Sequence, residues 1–274
     1  MTFDQLCNTL LSAKIEDASY EASLLLEHFC GVDRATQRLQ KEHDYAEPAL
    51  LQAVAARVRR VPLQYLLGEW SFYRQNYEVT PDCLIPRSDT EILVEEAIRT
   101  LPQNARFADL CTGSGCIAIS TLAERPDTRA VAVEKFSRTL DLARRNAERN
   151  GVLDRFCAVC GDVTVAPPSL EFAPFDAILS NPPYIVSALL PSLSPEVQAE
   201  PQAALDGGED GLLFYRAILQ NFAHLLKPDG FFLFEIGYDQ AQAVTSLGIS
   251  HGFSHTRVIK DYGKQDRVVF LSRV

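Results

Sequence analysis

Phe107-Ala108-Asp109-Leu110-Cys111-Thr112-Gly113-Ser114-Gly115-Cys116-Ile117 carries the chain from a strand into a helix through a loop built on two glycines. Phe107 to Leu110 reads as a buried strand and Cys116 to Glu124 as a helix. Gly113 and Gly115 permit a tight turn and let a ligand approach the backbone without meeting a Cβ, and the helix behind them presents free N–H groups. Glu134 closes the next strand about 20 residues beyond Gly115, where a carboxylate can bind ribose hydroxyls. Cys111, Thr112, Gly113, Ser114 and Gly115, with Glu134, therefore suit an adenosine-type cofactor.

Two readings of that loop stay open, because Gly113-x-Gly115-x-x-Ala118 with Glu134 also meets the loose form of a dinucleotide fingerprint. Asp109 stands just before the loop, where it would repel a pyrophosphate and attract a cationic ligand bearing an amino group. Gly161-Asp162-Val163 follows the third strand and offers a carboxylate and a small apolar side chain where an adenine could lie; the plainer role for Asp162 is a turn cap.

Working outward, strand-like and helix-like segments alternate. Ala130 to Val133, Phe156 to Val159, Phe175 to Leu179, Phe231 to Ile236 and Val268 to Leu271 read as strands, and Ser137 to Asn150 as a helix ended by Gly151. The alternation predicts an α/β fold: a doubly wound, mostly parallel, Rossmann-like sheet with helices on both faces. Its ligands would sit at the carboxyl ends of the strands.

Ser180-Asn181-Pro182-Pro183-Tyr184 follows the strand at 175–179. Two prolines remove two backbone donors and fix two φ angles, so the chain leaves the sheet as a stiff turn whose carbonyls lack regular partners. Asn181 adds a side-chain acceptor and donor, and Tyr184 a flat aromatic face. Such a pocket suits a planar group carrying an NH2, either a carboxamide or the exocyclic amine of a base; a proline-rich turn capping a core strand is the bland alternative.

Residues 1–70 look helical, with helices from Phe3, from Tyr20 to Cys30 before Gly31, from Asp33 toward Gln40, and from Glu47-Pro48 to Pro62. Arg57, Arg59 and Arg60 read as a solvated helix end. Residues 71–85 suggest a β-hairpin linker, with aromatic and β-branched residues flanking Arg74-Gln75-Asn76. In Ile85-Pro86-Arg87-Ser88-Asp89-Thr90-Glu91, Ser88 and Glu91 have capping-box spacing, and Arg87 is either surface decoration or an anion-binding side chain. Residues 86–274 form the sheet domain.

The chain has 274 residues, 47% hydrophobic and 23% charged, with a net charge of −10. Phosphate binding relies on a Lys/Arg surplus, so the acidic balance argues against a stable nucleic-acid partner. Neither a membrane span nor a signal sequence is legible, and seven scattered cysteines suit free thiols, so a cytoplasmic protein is expected. Cys157 and Cys160, the one CxxC, read as buried strand cysteines, and His251 and His255 have helical spacing without a ligand role; no metal site is expected.

Taken together, Asp109 to Gly115, Glu134, Asp162 and Asn181 to Tyr184 make the chain resemble the class I S-adenosylmethionine-dependent methyltransferases, and more narrowly the release-factor glutamine methyltransferase (HemK/PrmC) family. The resemblance runs through Pro62-Leu-Gln-Tyr65 with Gly68, residues 85–91, Glu200 to Leu205, Gly207-Gly-Glu-Asp-Gly211, and Asp261-Tyr-Gly with Arg267. It implies a seven-stranded sheet, a helical N-terminal domain that recognises substrate, and S-adenosylmethionine as cofactor. It also implies methylation of the glutamine amide in the Gly-Gly-Gln loop of class I peptide chain release factors. Asn181, Pro182, Pro183 and Tyr184 would bind and orient that amide, with Arg87 beside them, and Asp109, Cys111, Thr112, Gly113, Ser114, Gly115, Glu134, Asp162, Val163 and Asn181 would hold the cofactor. Cys111 stands where the family usually has Gly, and Ser88 where it has Pro. Cys111 is expected in a β-region backbone, which a small side chain tolerates.

Three other classes remain at this stage. A nucleic-acid amino-methyltransferase would use the same pocket for a flipped adenine, a nicotinamide-dependent oxidoreductase would use the Gly113 and Gly115 loop, and a non-catalytic adaptor would keep a cofactor for structure.

Overall fold

The computed structural model describes residues 1–40, 42–167 and 170–274. In chain order the elements are α1 (Phe3–Ser12), α2 (Ala18–Cys30), α3 (Arg34–Leu39), α4 (Pro48–Val58), α5 (Leu63–Leu67), β1 (Glu69–Phe72), β2 (Gln75–Glu78), a 3-10 turn (Ser88–Thr90) and α6 (Glu91–Thr100). Then come β3 (Arg106–Leu110), α7 (Cys116–Glu124), β4 (Arg129–Glu134), α8 (Ser137–Arg149), β5 (Phe156–Cys160), β6 (Phe175–Ser180), α9 (Pro195–Gln198), α10 (Leu213–Phe222), β7 (Leu226–Glu235), α11 (Ala241–Ser250), β8 (His255–Lys260) and β9 (Asp266–Ser272). They form two units: Met1–Glu69 with Ser194–Ala199, and Trp70–Leu193 with Glu200–Val274.

In the first unit local signals set the helix ends. Thr2 and Gln5 form a reciprocal capping box on α1, Asp33 accepts the Thr36 N–H at 2.8 Å to start α3, and Gly31 ends α2 at φ +66°. The inward faces bury Leu6, Leu10, Leu25, Leu26, Leu50 and Val54, each contributing about 1.5–3 kcal/mol by leaving water. The arginine cluster is a correction to the sequence reading. Arg57 is buried, its guanidinium forking onto Glu21 at 2.6 and 3.1 Å and reaching Glu196 at 2.9 Å. Arg60 donates to the Ala13 and Lys14 carbonyls and pairs with Glu196. Only Arg59 is the solvated side chain expected of all three.

The second unit is built on a seven-stranded sheet of order β5-β4-β3-β6-β7-β9-β8. The first five strands are parallel, and β9 runs antiparallel to both β7 and β8. Side chains alternate between two cores. Phe107, Ala132, Leu179 and Leu233 face the helices α6, α7 and α8, while Ala108, Val133, Ile178 and Phe234 face α10 and α11. The β1–β2 hairpin puts Tyr77 under α7, its hydroxyl 2.7 Å from Ser120 Oγ.

Local expectations fail in several places. Ser88 and Glu91 make no capping box: Glu91 Oε1 instead accepts the Tyr73 N–H at the hairpin tip, at 2.8 Å. Cys157 is half-buried and Cys160 exposed, because β5 is a sheet edge. His251 caps α11 and His255 opens β8, so the two do not share a helix. Strand β8 itself was not legible, since an edge strand with an exposed, polar pattern lacks the apolar run that marks a core strand.

Candidate active site

Sheet growth changes direction at β3, with β4 and β5 on one side and β6 and β7 on the other. At such a switch point the loops leaving neighbouring strands diverge and open a crevice at their carboxyl ends. A cavity of about 340 Å³ lies there, and its wall includes Cys111, Thr112, Gly113 and Ser114 after β3, Glu134 at the end of β4, Asp162 and Val163 after β5, and Asn181 and Pro183 after β6.

The β3 loop turns through three left-handed residues, Cys111 at φ +59°, Gly113 at φ +57° and Gly115 at φ +83°. Cys111 is thus not in the β region expected for it. The reversal needs the left-handed conformation at that position, which costs a residue with a Cβ about 1–2 kcal/mol. Thr112 N donates to the Val133 carbonyl at 3.1 Å, pinning the loop to β4.

Asp109, Gly115, Pro182 and Tyr184 are outside the cavity wall. Asp109 is completely buried behind the loop, where Oδ2 accepts from the Thr112 hydroxyl at 2.6 Å and from the Ala118 N–H at 3.2 Å. Burial pushes its carboxyl up to about 7. Through Oδ2, Asp109 braces strand, loop and the start of α7, while its buried Oδ1 has no hydrogen-bond partner among the described residues.

Glu134 is set for two more hydrogen bonds. Oε2 accepts the Gly113 N–H at 3.1 Å and Oε1 the Phe136 N–H at 3.1 Å, leaving lone pairs for a ligand. Burial raises its carboxyl, against the pull of those N–H donors. Asp162 lines the cavity and also caps a turn. Oδ1 accepts from Thr164 N and Oγ1 at 2.9 and 2.6 Å, Oδ2 pairs with Lys135 at 2.9 Å, and the Thr164 hydroxyl with Lys135 holds its carboxyl down at about 2.

At the end of β6, the Ser180 hydroxyl donates to the Leu110 carbonyl at 2.6 Å. Asn181 Nδ2 donates to Thr90 Oγ1 at 3.2 Å. Tyr184 is held from several sides. Its carbonyl accepts Gln240 Nε2 at 2.9 Å, its hydroxyl lies 3.5 Å from Glu235 Oε1, and a Cβ at Gly207 or Gly211 would come within 2.7 or 2.5 Å of its backbone. The Gly207 to Gly211 segment is thus glycine-rich because it presses on the turn after β6. Arg87 is neither free decoration nor an open anion site, for it lines the cavity paired with buried Glu200, which also accepts the Ile85 N–H at 2.9 Å.

Sequence reasoning passed over Thr90 and Glu235, both buried against this turn. Glu235 did carry a signal, a carboxylate at the carboxyl end of a core strand next to the motif-bearing one. Thr90 carried none.

Residues 3–68 match the family model described as PrmC N-terminal domain, and residues 88–197 the one described as Methyltransferase small domain. The release factor glutamine methyltransferase of Geobacter sulfurreducens is 41% identical over 264 residues, covering 93% of this chain and 89% of that protein. The protein of the same name from Caulobacter vibrioides is 36% identical over 274 residues, covering 95% and 91%. The chain belongs to the release factor glutamine methyltransferase family. A methyltransferase structure from Pyrococcus furiosus, 20% identical, has a TM-score of 0.56 over 72% of this chain and 88% of that one, which speaks to the fold.

Membership of the release factor glutamine methyltransferase family implies S-adenosylmethionine, and the residues present suit it. A mostly apolar cavity carries a two-oxygen acceptor at Glu134, a second carboxylate at Asp162 beside apolar Val163, and a loop whose left-handed glycines keep the backbone bare. These match a ribose diol, an adenine edge and a close backbone approach. Among the described residues no group of three or more His, Cys, Asp or Glu is placed to hold a metal ion, and no helix is long and apolar enough to cross a membrane.

Proposed function

We propose that this protein methylates the side-chain amide nitrogen of the glutamine in the Gly-Gly-Gln motif of class I peptide chain release factors, with S-adenosylmethionine as donor. The observation that carries this reading is that Asn181 and Pro183, in the turn leaving β6, line the same cavity as Glu134 and Asp162.

S-adenosylmethionine supplies, when bound, an electrophilic methyl group on a sulfonium. Glu134 would accept the ribose hydroxyls, the loop from Cys111 to Ser114 would face the cofactor with its backbone, and Asp162 with Val163 would flank the adenine. An amide nitrogen is a poor nucleophile because its lone pair is delocalised into the carbonyl, so orientation must supply much of the rate. Asn181 Oδ1 and the Pro182 carbonyl would accept the two amide hydrogens. They thereby hold the nitrogen in line and stabilise the positive charge that develops on it. Half-buried Tyr184 would offer the open part of its ring to the flat amide. No general base is needed before transfer, because the proton becomes acidic only afterward.

In this reading residues 1–70 recognise the release factor, 71–85 link, and 86–274 perform the transfer, in the cytosol where release factors work. The test is incubation with purified release factor, DNA or RNA and isotopically labelled S-adenosylmethionine. The reading expects mass spectrometry to find one labelled methyl on the Gly-Gly-Gln glutamine and none on nucleic acid. Label on a nucleobase amine, or none on the release factor, would overturn it.

A further inference from the structure

We propose that Thr90 and Glu235 are positioning residues that hold the Asn181 amide with its oxygen toward the cavity. The inference rests on the amide-binding role proposed above for Asn181. A terminal amide can sit either way round, and only one way presents an acceptor to an incoming NH2. Something must choose.

The choice follows from a count of protons. Thr90, 2% exposed in the turn before α6, places Oγ1 3.2 Å from Asn181 Nδ2. Glu235 ends β7, and the pairing of Ser180 with Phe234 sets Asn181 and Glu235 side by side where the sheet stops. Glu235 is 1% exposed, its Oε1 lies 3.5 Å from the Tyr184 hydroxyl, and its buried Oε2 has no hydrogen-bond partner among the described residues, which leaves it open to the proton of the Thr90 hydroxyl that pulls its carboxyl down. A hydroxyl has one proton. Ionised Glu235 draws the Thr90 proton, which leaves Thr90 Oγ1 as an acceptor, and that acceptor takes Asn181 Nδ2 and turns Oδ1 to the cavity. Protonated Glu235 reverses the chain. It donates to Thr90, Thr90 donates to the Asn181 oxygen, and the amide shows its NH2 to a substrate that also brings NH2.

The charged and titratable groups facing Glu235 from the surrounding elements include Arg267 on β9, Asp89 in the turn before α6, the Tyr184 hydroxyl and the Cys116 thiol at the start of α7. Tyr215 of α10 donates instead to the Glu235 backbone carbonyl at 2.8 Å. Arg267 is itself divided between Asp261 at 3.1 Å and Asp89 at 3.3 Å. Burial, opposed by the Thr90 hydroxyl and Arg267, brings the Glu235 carboxyl up to about 7, so the reversal falls in the neutral range.

The experiment has two arms on the full-length protein. In steady state with release factor, Thr90→Val should lower kcat about 10- to 100-fold with S-adenosylmethionine affinity unchanged, and Thr90→Ser, which restores the hydroxyl, should recover it. The wild-type kcat should fall on the acid side of neutrality, and Glu235→Gln should abolish that limb. In the second arm, with ¹⁵N-asparagine label and no substrate, the Asn181 side-chain NH2 resonance should titrate near neutrality in the wild type. It should stop doing so in Glu235→Gln and Thr90→Val. A folded Thr90→Val with wild-type kcat, or an Asn181 resonance indifferent to pH and to both substitutions, overturns the inference. Absence of release-factor methylation by the wild type overturns the substrate reading alone, because the resonance arm decides the relay without substrate.

Discussion

Glu134 Oε2 accepts the backbone N–H of Gly113 at 3.1 Å, so the carboxylate that ends β4 is aimed by the loop that leaves β3. The proposed cofactor site and the loop conformation are therefore one arrangement. Glu134→Ala should weaken S-adenosylmethionine binding by about 1.5–3 kcal/mol, the usual worth of hydrogen bonds to a charged group. Glu134→Gln, which keeps one acceptor, should lose less. Titration calorimetry reads both, and unchanged affinity in the alanine variant would remove Glu134 from the site.

Gly211 lies at φ +73°, and a Cβ there would stand 2.5 Å from the Tyr184 carbonyl oxygen and 2.6 Å from Gln240 Nε2. Gly211→Ala should push the turn after β6 out of place. We expect kcat down about 10- to 100-fold with S-adenosylmethionine affinity within about twofold, since the β3 loop is untouched. Kinetics beside calorimetry on one preparation checks this, and equal losses in both would point to general unfolding instead.

Arg57 joins Glu21 and Glu196 inside the first unit. Its removal would strand two partly buried carboxylates. Breaking a buried pair from one side costs about 3–5 kcal/mol, and Arg57→Ala should come near the lower end because Glu196 retains Arg60. Chemical denaturation measures it, and a loss under about 1 kcal/mol would mean the pairing is worth no more than a surface one.

Asp109 sets a pH dependence. Burial raises its carboxyl to about 7 in the fold, against the Thr112 hydroxyl and Ala118 N–H. A carboxyl raised above its unfolded value binds its proton more tightly in the folded chain. Its contribution is therefore most favourable to the fold below the ordinary carboxylate range and declines as pH rises through about 7. Glu235 has the same sign. The cofactor-free protein should lose Tm between about pH 4 and pH 7, and Asp109→Asn should flatten that slope. A slope identical to the wild type would contradict the assignment.

The residues that announced themselves in the sequence are those whose chemistry is local. Gly113, Gly115 and the double proline at 182–183 constrain their own backbone, and the strand-helix alternation fixes the sheet that brings Glu134, Asp162 and Asn181 to one cavity. What stayed hidden depends on partners far along the chain. Arg57 looked solvated because Glu21 and Glu196 are remote in sequence, and Thr90 shows its purpose only when β6 delivers Asn181 to it. The contacts of Asp109 with Thr112 and Ala118 also stayed hidden, since nothing in the sequence says that a carboxylate before a glycine loop also holds the helix behind it. The left-handed Cys111 was missed because a φ angle set by loop closure leaves no mark on a residue able to adopt it.

The central claim is that Asn181, in the turn after β6, orients the substrate amide. Asn181→Ala tests it most directly, in a single-turnover reaction with release factor and saturating S-adenosylmethionine. The account predicts methyl transfer slowed about 100-fold or more while calorimetric affinity for S-adenosylmethionine stays near that of the wild type. Transfer at the wild-type rate would contradict it.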